Sequence, residues 1–310
     1  MPSTSSAARS AARRLGHALV RALPRHELTR VLGKVAELPV TPALRTPLFQ
    51  SYCALTGAAA EEAELNLDQY SSLDTFFTRQ LRPGLRTWTK DPGLVLSPAD
   101  GRVAQWGDGL ASGQLLQAKG LHYSAAELIG EDASRFDRGA WATVYLSPAD
   151  YHRVHAPVAM DVSRVCWLGN QLWPVNGLSV PFVRDLFVVN ERVALIGSTH
   201  LAGEPVPVAL VLVAATVVGG IELYHDALPF RRAHDGFVHR LELATPWTVS
   251  PEQPVGAFHL GSTAIILVGP GATKVPVLVS DPHLNAEEHP RVRVGQPLFC
   301  AGQDSVRRTR

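Results

Sequence analysis

Three short segments of the chain carry side chains that could do chemistry together. The first is Asp150-Tyr151-His152-Arg153-Val154-His155-Ala156-Pro157, two imidazoles three residues apart with Tyr and Arg nearby. Histidine exchanges a proton near neutral pH, so one of the pair could act as a general base while the other holds or protonates a substrate. His-x-x-His could also ligate a metal, but no third ligand stands at a matching spacing. A structural histidine is the ordinary reading for any one of the 12 in the chain. The second segment is Phe258-His259-Leu260-Gly261-Ser262-Thr263-Ala264, which leads Gly-Ser-Thr into an apolar run. The third is Ser97-Pro98-Ala99-Asp100-Gly101, a turn sequence that presents a carboxylate.

Glycine before serine permits one particular reaction. A serine hydroxyl can attack the carbonyl of its own preceding residue only where the backbone is uncrowded, and Gly261 has no Cβ to obstruct it. Attack by Ser262 Oγ would turn the Gly261–Ser262 amide into an ester. The hydroxyl is a weak nucleophile at neutral pH and needs a base, which in turn needs an orienting acid. A histidine of 152–155 and Asp100 would complete that set. Gly-Ser-Thr alone carries little: Gly197-Ser198-Thr199 repeats it between two strand-like runs and reads as a hairpin turn. Leu-Ser-Pro-Ala-Asp also occurs twice, at 96–100 and 146–150, each time after an apolar run. Both copies read as strand-end turns with the aspartate as a local capping acceptor.

The elements that must position these residues change character along the chain. Residues 1–38 hold seven basic side chains and two acids, although the 310-residue chain is balanced at +1. Their apolar positions, Leu15, Leu19 and Leu23, then Leu28, Val31, Leu32 and Val35, fall at helical spacing with basic residues between. Two amphipathic helices on an anionic membrane surface would look like this, and so would a helix pair packed on its own domain. An Arg- and Ser-rich transit peptide is a third reading, ranked below the membrane-surface helix. No apolar run is long enough to span a bilayer. Residues 39–93 read as helical and polar. From residue 94 the texture is β-rich, clearest at Val206–Val218, Ala264–Val268 and Val275–Val279. The fold class expected is α+β: N-terminal amphipathic helices (1–38), a helical part (39–93) and a β-rich catalytic domain (94–310). Three scattered cysteines form no disulfide framework or zinc ribbon, and the near-zero charge marks no nucleic-acid partner.

Taken together, Asp-Tyr-His-Arg-Val-His at 150–155, Ser-Pro-Ala-Asp-Gly at 97–101 and Leu-Gly-Ser-Thr at 260–263 resemble the bacterial phosphatidylserine decarboxylases. Further matches are Phe-Phe-Thr-Arg-Gln-Leu-Arg-Pro at 76–83, Lys-Gly-Leu-His-Tyr-Ser at 119–124, Pro-Val-Asn at 174–176, Asn-Glu-Arg at 190–192 and Gly-Gln-Pro-Leu at 295–298. The likeness runs from about residue 15 to about residue 300. It implies a precursor that cleaves itself between Gly261 and Ser262 into a β subunit (1–261) and an α subunit (262–310). Ser262 would become a covalent pyruvoyl group, with no metal or diffusible cofactor. The family's charge-relay pair maps to Asp100 and His155, and its second histidine, implicated in substrate positioning and decarboxylation, to His152. The pyruvoyl carbonyl would form a Schiff base with phosphatidylserine and act as the electron sink when CO₂ leaves, giving phosphatidylethanolamine.

The resemblance further implies a peripheral enzyme on the cytoplasmic side of the inner membrane, with a homodimer of the αβ unit left open. Two departures stand out. Ala264 replaces a larger β-branched residue, and Trp173-Pro174 lies where Phe-Ser is commoner, which bears on head-group details if that loop lines the site. Asp150 is the runner-up for the orienting acid. The competing readings are a serine hydrolase using Ser262, His155 and Asp100 without self-cleavage, and a non-catalytic lipid-binding β domain. Both require an intact chain.

Overall fold

A computed structural model describes residues 21, 24–118, 120–175, 179–216, 220–226, 228, 239–259, 262–274 and 290–301. The β-branched runs between turn residues become strands. In chain order these are β1 (Leu94–Leu96), β2 (Gly101–Asp108), β3 (Gln114–Ala118), β4 (Leu121–Ser124), β5 (Ala140–Leu146) and β6 (Arg153–His155). They continue with β7 (Met160–Leu168), β8 (Arg192–Leu201), β9 (Glu204–Ala214), β10 (Gly220–Leu223) and β11 (His239–Val249). The last are β12 (Pro254–His259), β13 (Ser262–Val268), β14 (Ala272–Lys274), β15 (Arg291–Val292) and β16 (Pro297–Ala301). Helices Arg25–Glu37, Pro42–Thr56 and Leu73–Phe77 precede β1, so the architecture is the expected α+β: N-terminal helices, then a β-rich part.

Eight strands form one antiparallel sheet in the order β11-β7-β8-β9-β13-β5-β2-β15. β13 lies between β9 and β5, and all seven of its residues are buried. A strand covered on both faces has no reason to alternate polar with apolar, which is why Ala264-Ile265-Ile266-Leu267-Val268 is a continuous apolar run. Ser262 and Thr263 stand at its polar start, opposite Leu146 and Tyr145 of β5. A smaller sheet, β10-β12-β6, carries the histidine segment, and β1-β16-β14 carries the turn that leads to Asp100.

Two expectations need correction. Gly197-Ser198-Thr199 is not a hairpin turn but the interior of β8, paired with β7 and β9. The turn lies five residues on at Ala202-Gly203, whose φ values are 50° and 90°. The glycine serves a close strand approach instead, since a Cβ on Gly197 would stand 2.0 Å from the Asp161 carbonyl oxygen. The 39–93 segment is also less helical than its polarity suggests. After Thr56 it holds two 3₁₀ turns, the short Leu73–Phe77 helix and extended chain.

Of the two apolar helical sets at the N-terminus, Leu15, Leu19 and Leu23 lie outside the described residues. The second set lies on the Arg25–Glu37 helix, which buries its small residues Thr29, Gly33 and Ala36 and packs against Leu73–Phe77. Val31 and Val35 are thereby turned outward, more than half exposed. The run Val275–Val279 also falls outside the described residues. Among the described residues no helix is long and apolar enough to cross a membrane.

A second, smaller core lies under the Pro42–Thr56 helix, where Phe49 stacks on Phe76 with ring centroids 5.2 Å apart and Tyr70 packs edge-on. This core fixes the Leu73–Phe77 helix, which brings Phe77 onto the histidine segment.

Candidate active site

Asp100 follows β1 in a turn held at both ends. Leu96 N–H donates to the Pro157 carbonyl (2.7 Å), Ser97 N–H to the Gln296 carbonyl (2.7 Å), and Ser97 Oγ to the Ala99 carbonyl (2.7 Å). Gly101 comes next because a Cβ there would stand 2.3 Å from the Tyr145 carbonyl oxygen of β5. So held, the Asp100 carboxylate accepts from the Val294 N–H (2.8 Å) and from Arg86 Nε (3.2 Å), with Arg86 Nη2 on its second oxygen. Arg86 Nη2 also reaches Glu62 Oε2 at 2.9 Å. Burial raises the Asp100 pKa above the ordinary carboxylate value and Asp150 adds to the rise. The Arg86 bonds and charge and the Val294 N–H oppose it without cancelling it.

His155 ends β6. Its backbone N–H donates to the Pro98 carbonyl at 2.8 Å, which ties the histidine strand to the Asp100 turn. The ring stacks on Trp88, with centroids 5.0 Å apart at 25°. Nδ1 lies 2.7 Å from the Pro251 carbonyl and Nε2 lies 3.3 Å from the Tyr151 hydroxyl. A carbonyl can only accept, so the hydrogen sits on Nδ1 and the Nε2 lone pair faces the phenol. Burial lowers the pKa to about 4; the Pro251 bond opposes this, and the Arg153 and Arg86 charges reinforce it. His155 is therefore neutral at pH 7, with Nε2 in the form a general base requires.

His152 is fully buried. Nδ1 bonds the Asp150 carbonyl at 2.8 Å, and the ring lies against Phe77 at 3.8 Å. Burial lowers its pKa to about 3, the bond to Asp150 opposing and the charge of Arg79 adding to the fall. Its Nε2 is buried without a hydrogen-bond partner among the described residues. The His152 carbonyl accepts from Phe258 N–H at 3.0 Å, which joins this segment to the strand running into the serine.

Ser262 is 1% exposed, and its Oγ has no hydrogen-bond partner among the described residues. A buried hydroxyl left unbonded costs on the order of 1–3 kcal/mol, so this one has no evident structural use. Gly261 falls outside the described residues. Three residues before Ser262, His259 Nδ1 bonds Asp74 Oδ1 at 2.7 Å, and its Nε2 stands 3.4 Å from Glu222 Oε2. Burial lowers the pKa of His259, but the two carboxylates outweigh it and the net is a rise to about 9.

The side chains read from sequence thus stand in separate hydrogen-bond sets, with Ser262 Oγ in none of them among the described residues, rather than in one chain of hydrogen bonds. Asp100 does not accept from His155 Nδ1, which goes to the Pro251 carbonyl; its carboxylate is occupied by Arg86 and Val294. Asp150, the runner-up acid, closes its own turn by accepting from Ser147 N–H and Oγ, each at 2.7 Å. Sequence reasoning missed Arg86, Trp88, the Tyr151 hydroxyl and the Asp74–His259–Glu222 cluster. Tyr151 was visible between Asp150 and His152. Nothing in Leu85-Arg86-Thr87-Trp88 announced the others.

Comparison with known proteins matches the phosphatidylserine decarboxylase family model to residues 73–300. A phosphatidylserine decarboxylase proenzyme of Anaeromyxobacter sp. (strain K) is 38% identical over 288 residues, covering 92% of this chain and 98% of the relative. The proenzyme of Myxococcus xanthus is 39% identical over 254 residues, covering 81% and 88%. That of Shewanella baltica (strain OS155) is 37% identical over 255 residues, covering 79% and 84%. With the family model matched over residues 73–300 and this likeness along most of its length, the chain belongs to the phosphatidylserine decarboxylase family.

Proposed function

We propose that the chain is a precursor that cleaves itself at Gly261–Ser262 and then decarboxylates phosphatidylserine to phosphatidylethanolamine. The observation that carries the reading is the buried, unbonded hydroxyl of Ser262, opposite the strand whose turn leads into two neutral histidines. His155 Nε2 takes the Ser262 proton, released by its Tyr151 contact; the Pro251 carbonyl holds the tautomer and stabilises the imidazolium. Ser262 Oγ attacks the Gly261 carbonyl carbon, His155 passes the proton to the Ser262 nitrogen and the C–N bond breaks, leaving an ester and a free amine. β-Elimination then passes the Ser262 Cα proton to a base and breaks the Cβ–O bond, leaving a carboxylate on Gly261 and a dehydroalanine at the new N-terminus. Water hydrolyses its imine tautomer and ammonia departs.

Asp100 acts through Arg86. The guanidinium charge depresses His155, and the carboxylates of Asp100 and Glu62 hold and offset that charge. In the cleaved enzyme a serine-derived pyruvoyl group supplies the electron sink for the carbanion left by CO₂. The residues around Ser262 fit such a group, because the hydroxyl it replaces is bonded to nothing among the described residues. His152 keeps its Nε2 lone pair available for positioning the substrate, and His152 or His155 would relay a proton from solvent to the substrate Cα.

Residues 1–38 serve as the membrane-docking part, residues 39–93 as the N-terminal part of the catalytic region, helical over Pro42–Thr56 and Leu73–Phe77, and residues 94–310 as the β-rich catalytic domain. The docking reading is supported by Val31, Val35, Leu38, Leu44 and Leu48, exposed apolar side chains on and beside the first two described helices, with Arg30 and Lys34 among them. The enzyme then works peripherally on the cytoplasmic side of the inner membrane, with its α and β subunits made from one chain. Deleting residues 1–38 should abolish sedimentation with anionic vesicles, and unchanged sedimentation would refute the docking part.

The test of the chemistry is a processing time course after cell-free synthesis. Wild type should split into 1–261 and 262–310, whereas Ser262→Ala and His155→Ala should stay whole. A His155→Ala chain that splits at the wild-type rate would remove His155 from the mechanism.

A further inference from the structure

Among the described residues, the acids lining the pocket beside the Asp100 turn all have cationic partners, but one buried cation lining it has no acid. A pocket of about 250 Å³ lies between the Asp100 turn, the Ala149–Tyr151 segment and Arg291–Arg293. Its three carboxylates are matched: Asp100 and Glu62 by Arg86, Glu62 again by Arg293 (3.2 Å), and Asp150 by Arg291 (3.9 Å). Arg79 lines the same pocket and is only 4% exposed. Its polar and cation–π contacts among the described residues are an Nη1 bond to the Phe76 carbonyl at 3.4 Å and an approach to the Phe76 ring at 4.9 Å. Among the described residues Nε is buried without a hydrogen-bond partner and no carboxylate pairs with the guanidinium. A buried arginine in that state is destabilising unless an anion completes it.

Its position ties this vacant charge to the reacting residues. Arg79 follows directly on the Phe77–Thr78 pair that clamps the histidine segment. The Phe77 ring lies on His152, and Arg153 Nε donates to the Thr78 carbonyl at 2.8 Å. An anion held on Arg79 would therefore sit beside the Asp150–His152 turn.

We propose that Arg79 is the head-group anchor of this enzyme, binding the phosphodiester of the phospholipid substrate. The inference rests on the substrate reading above. The substrate's other anion, the carboxylate, is the wrong one for this site. It must leave as neutral CO₂, and a guanidinium paired with it would stabilise the ground state more than the transition state. The phosphodiester keeps its charge from substrate to product, and the planar guanidinium fork matches two of its oxygens.

The test uses two soluble head groups that differ only in the carboxylate, glycerophosphoserine and glycerophosphoethanolamine. Their binding is measured by calorimetry to wild type, Arg79→Lys and Arg79→Gln. Loss of one charge-assisted hydrogen-bond pair corresponds to about tenfold or more in affinity. Arg79→Gln should weaken both ligands by at least about that factor, and Arg79→Lys, which keeps the charge but not the fork, by less. Unchanged affinity for both, or no binding by wild type, overturns the proposal. A loss confined to glycerophosphoserine also overturns it, by moving the contact to the carboxylate. If Arg79→Gln does not fold, Arg79→Lys against wild type decides by the same criteria. The mass of each sample records cleavage separately, so a chain that binds both head groups through Arg79 but never splits would refute the self-cleavage reading alone.

Discussion

The chain writes Leu-Ser-Pro-Ala-Asp twice, and the fold uses the two aspartates in opposite ways. At 146–150 the sequence does what its composition suggests: Asp150 Oδ2 turns back onto Ser147 N–H and Oγ and closes a local turn. At 96–100 the serine closes the turn on its own, bonding the Ala99 carbonyl, and the buried Asp100 carboxylate is left to bond elsewhere. Its partners come from 14 residues before it, Arg86, and from 194 residues after it, the Val294 N–H. Identical local sequence therefore gives one capping residue and one end of a buried ion pair. What separates them is what the strand order brings alongside: β1 is flanked by β16 and the chain leading into it, whereas the second copy follows β5.

The largest expected effect breaks this contrast. Asp100→Asn leaves the Arg86 guanidinium, 7% exposed in its side chain, with Glu62 as its remaining carboxylate. Loss of one partner from such a pair costs roughly 3 kcal/mol. Asp150→Asn keeps a carbonyl acceptor for its own turn and should cost less than about 1 kcal/mol. Thermal melts of the two variants would measure the difference. Self-cleavage should follow the same order, strongly slowed in Asp100→Asn and nearly retained in Asp150→Asn. The reverse order would make Asp150 the acid that matters.

A smaller effect sharpens the related distinction between backbone partners and charged ones. His152 and His155 bond carbonyls and are held neutral by burial, at about 3 and about 4, while His259 bonds two carboxylates from remote elements and is raised to about 9. Unfolded histidine takes up its proton near pH 6.5. Below that value the unfolded state binds protons that His152 and His155 refuse, so stability falls as pH drops from about 6.5 toward 4. For His259 the sign is opposite. Its contribution is complete below about pH 6.5 and is lost as pH rises through about 9. The melting temperature should therefore pass through a maximum near pH 6.5. His259→Leu should lower that maximum and flatten the alkaline limb while leaving the acid limb in place. An alkaline limb that stays as steep in His259→Leu would contradict the ion-paired state of His259.

Much of the fold was legible because burial on both faces leaves a signature. The valine-rich run after Glu204 and the apolar run after Thr263 could hardly be anything but central strands, and they became β9 and β13. Gly197 was misread because a glycine needed for close strand packing and one needed for a turn look alike in sequence. At the site, the residue types Asp100, His152, His155 and Ser262 were legible from their motifs, but their bonds were not. Trp88 under His155, the Pro251 carbonyl on Nδ1 and Arg86 on Asp100 are long-range contacts, set by strands that meet only in the folded chain. The segment around 76–79 showed its phenylalanines but gave no sign that Arg79 would be buried without an acid.

The most direct test of the account is the intact mass of the purified protein under denaturing conditions, read for the fragment that begins at residue 262. Conversion of Ser262 to a pyruvoyl group predicts a 262–310 fragment lighter by one ammonia than the same peptide starting with serine, beside an unmodified 1–261 chain. A single uncut chain, or a 262–310 fragment that still carries the serine amine, would contradict it.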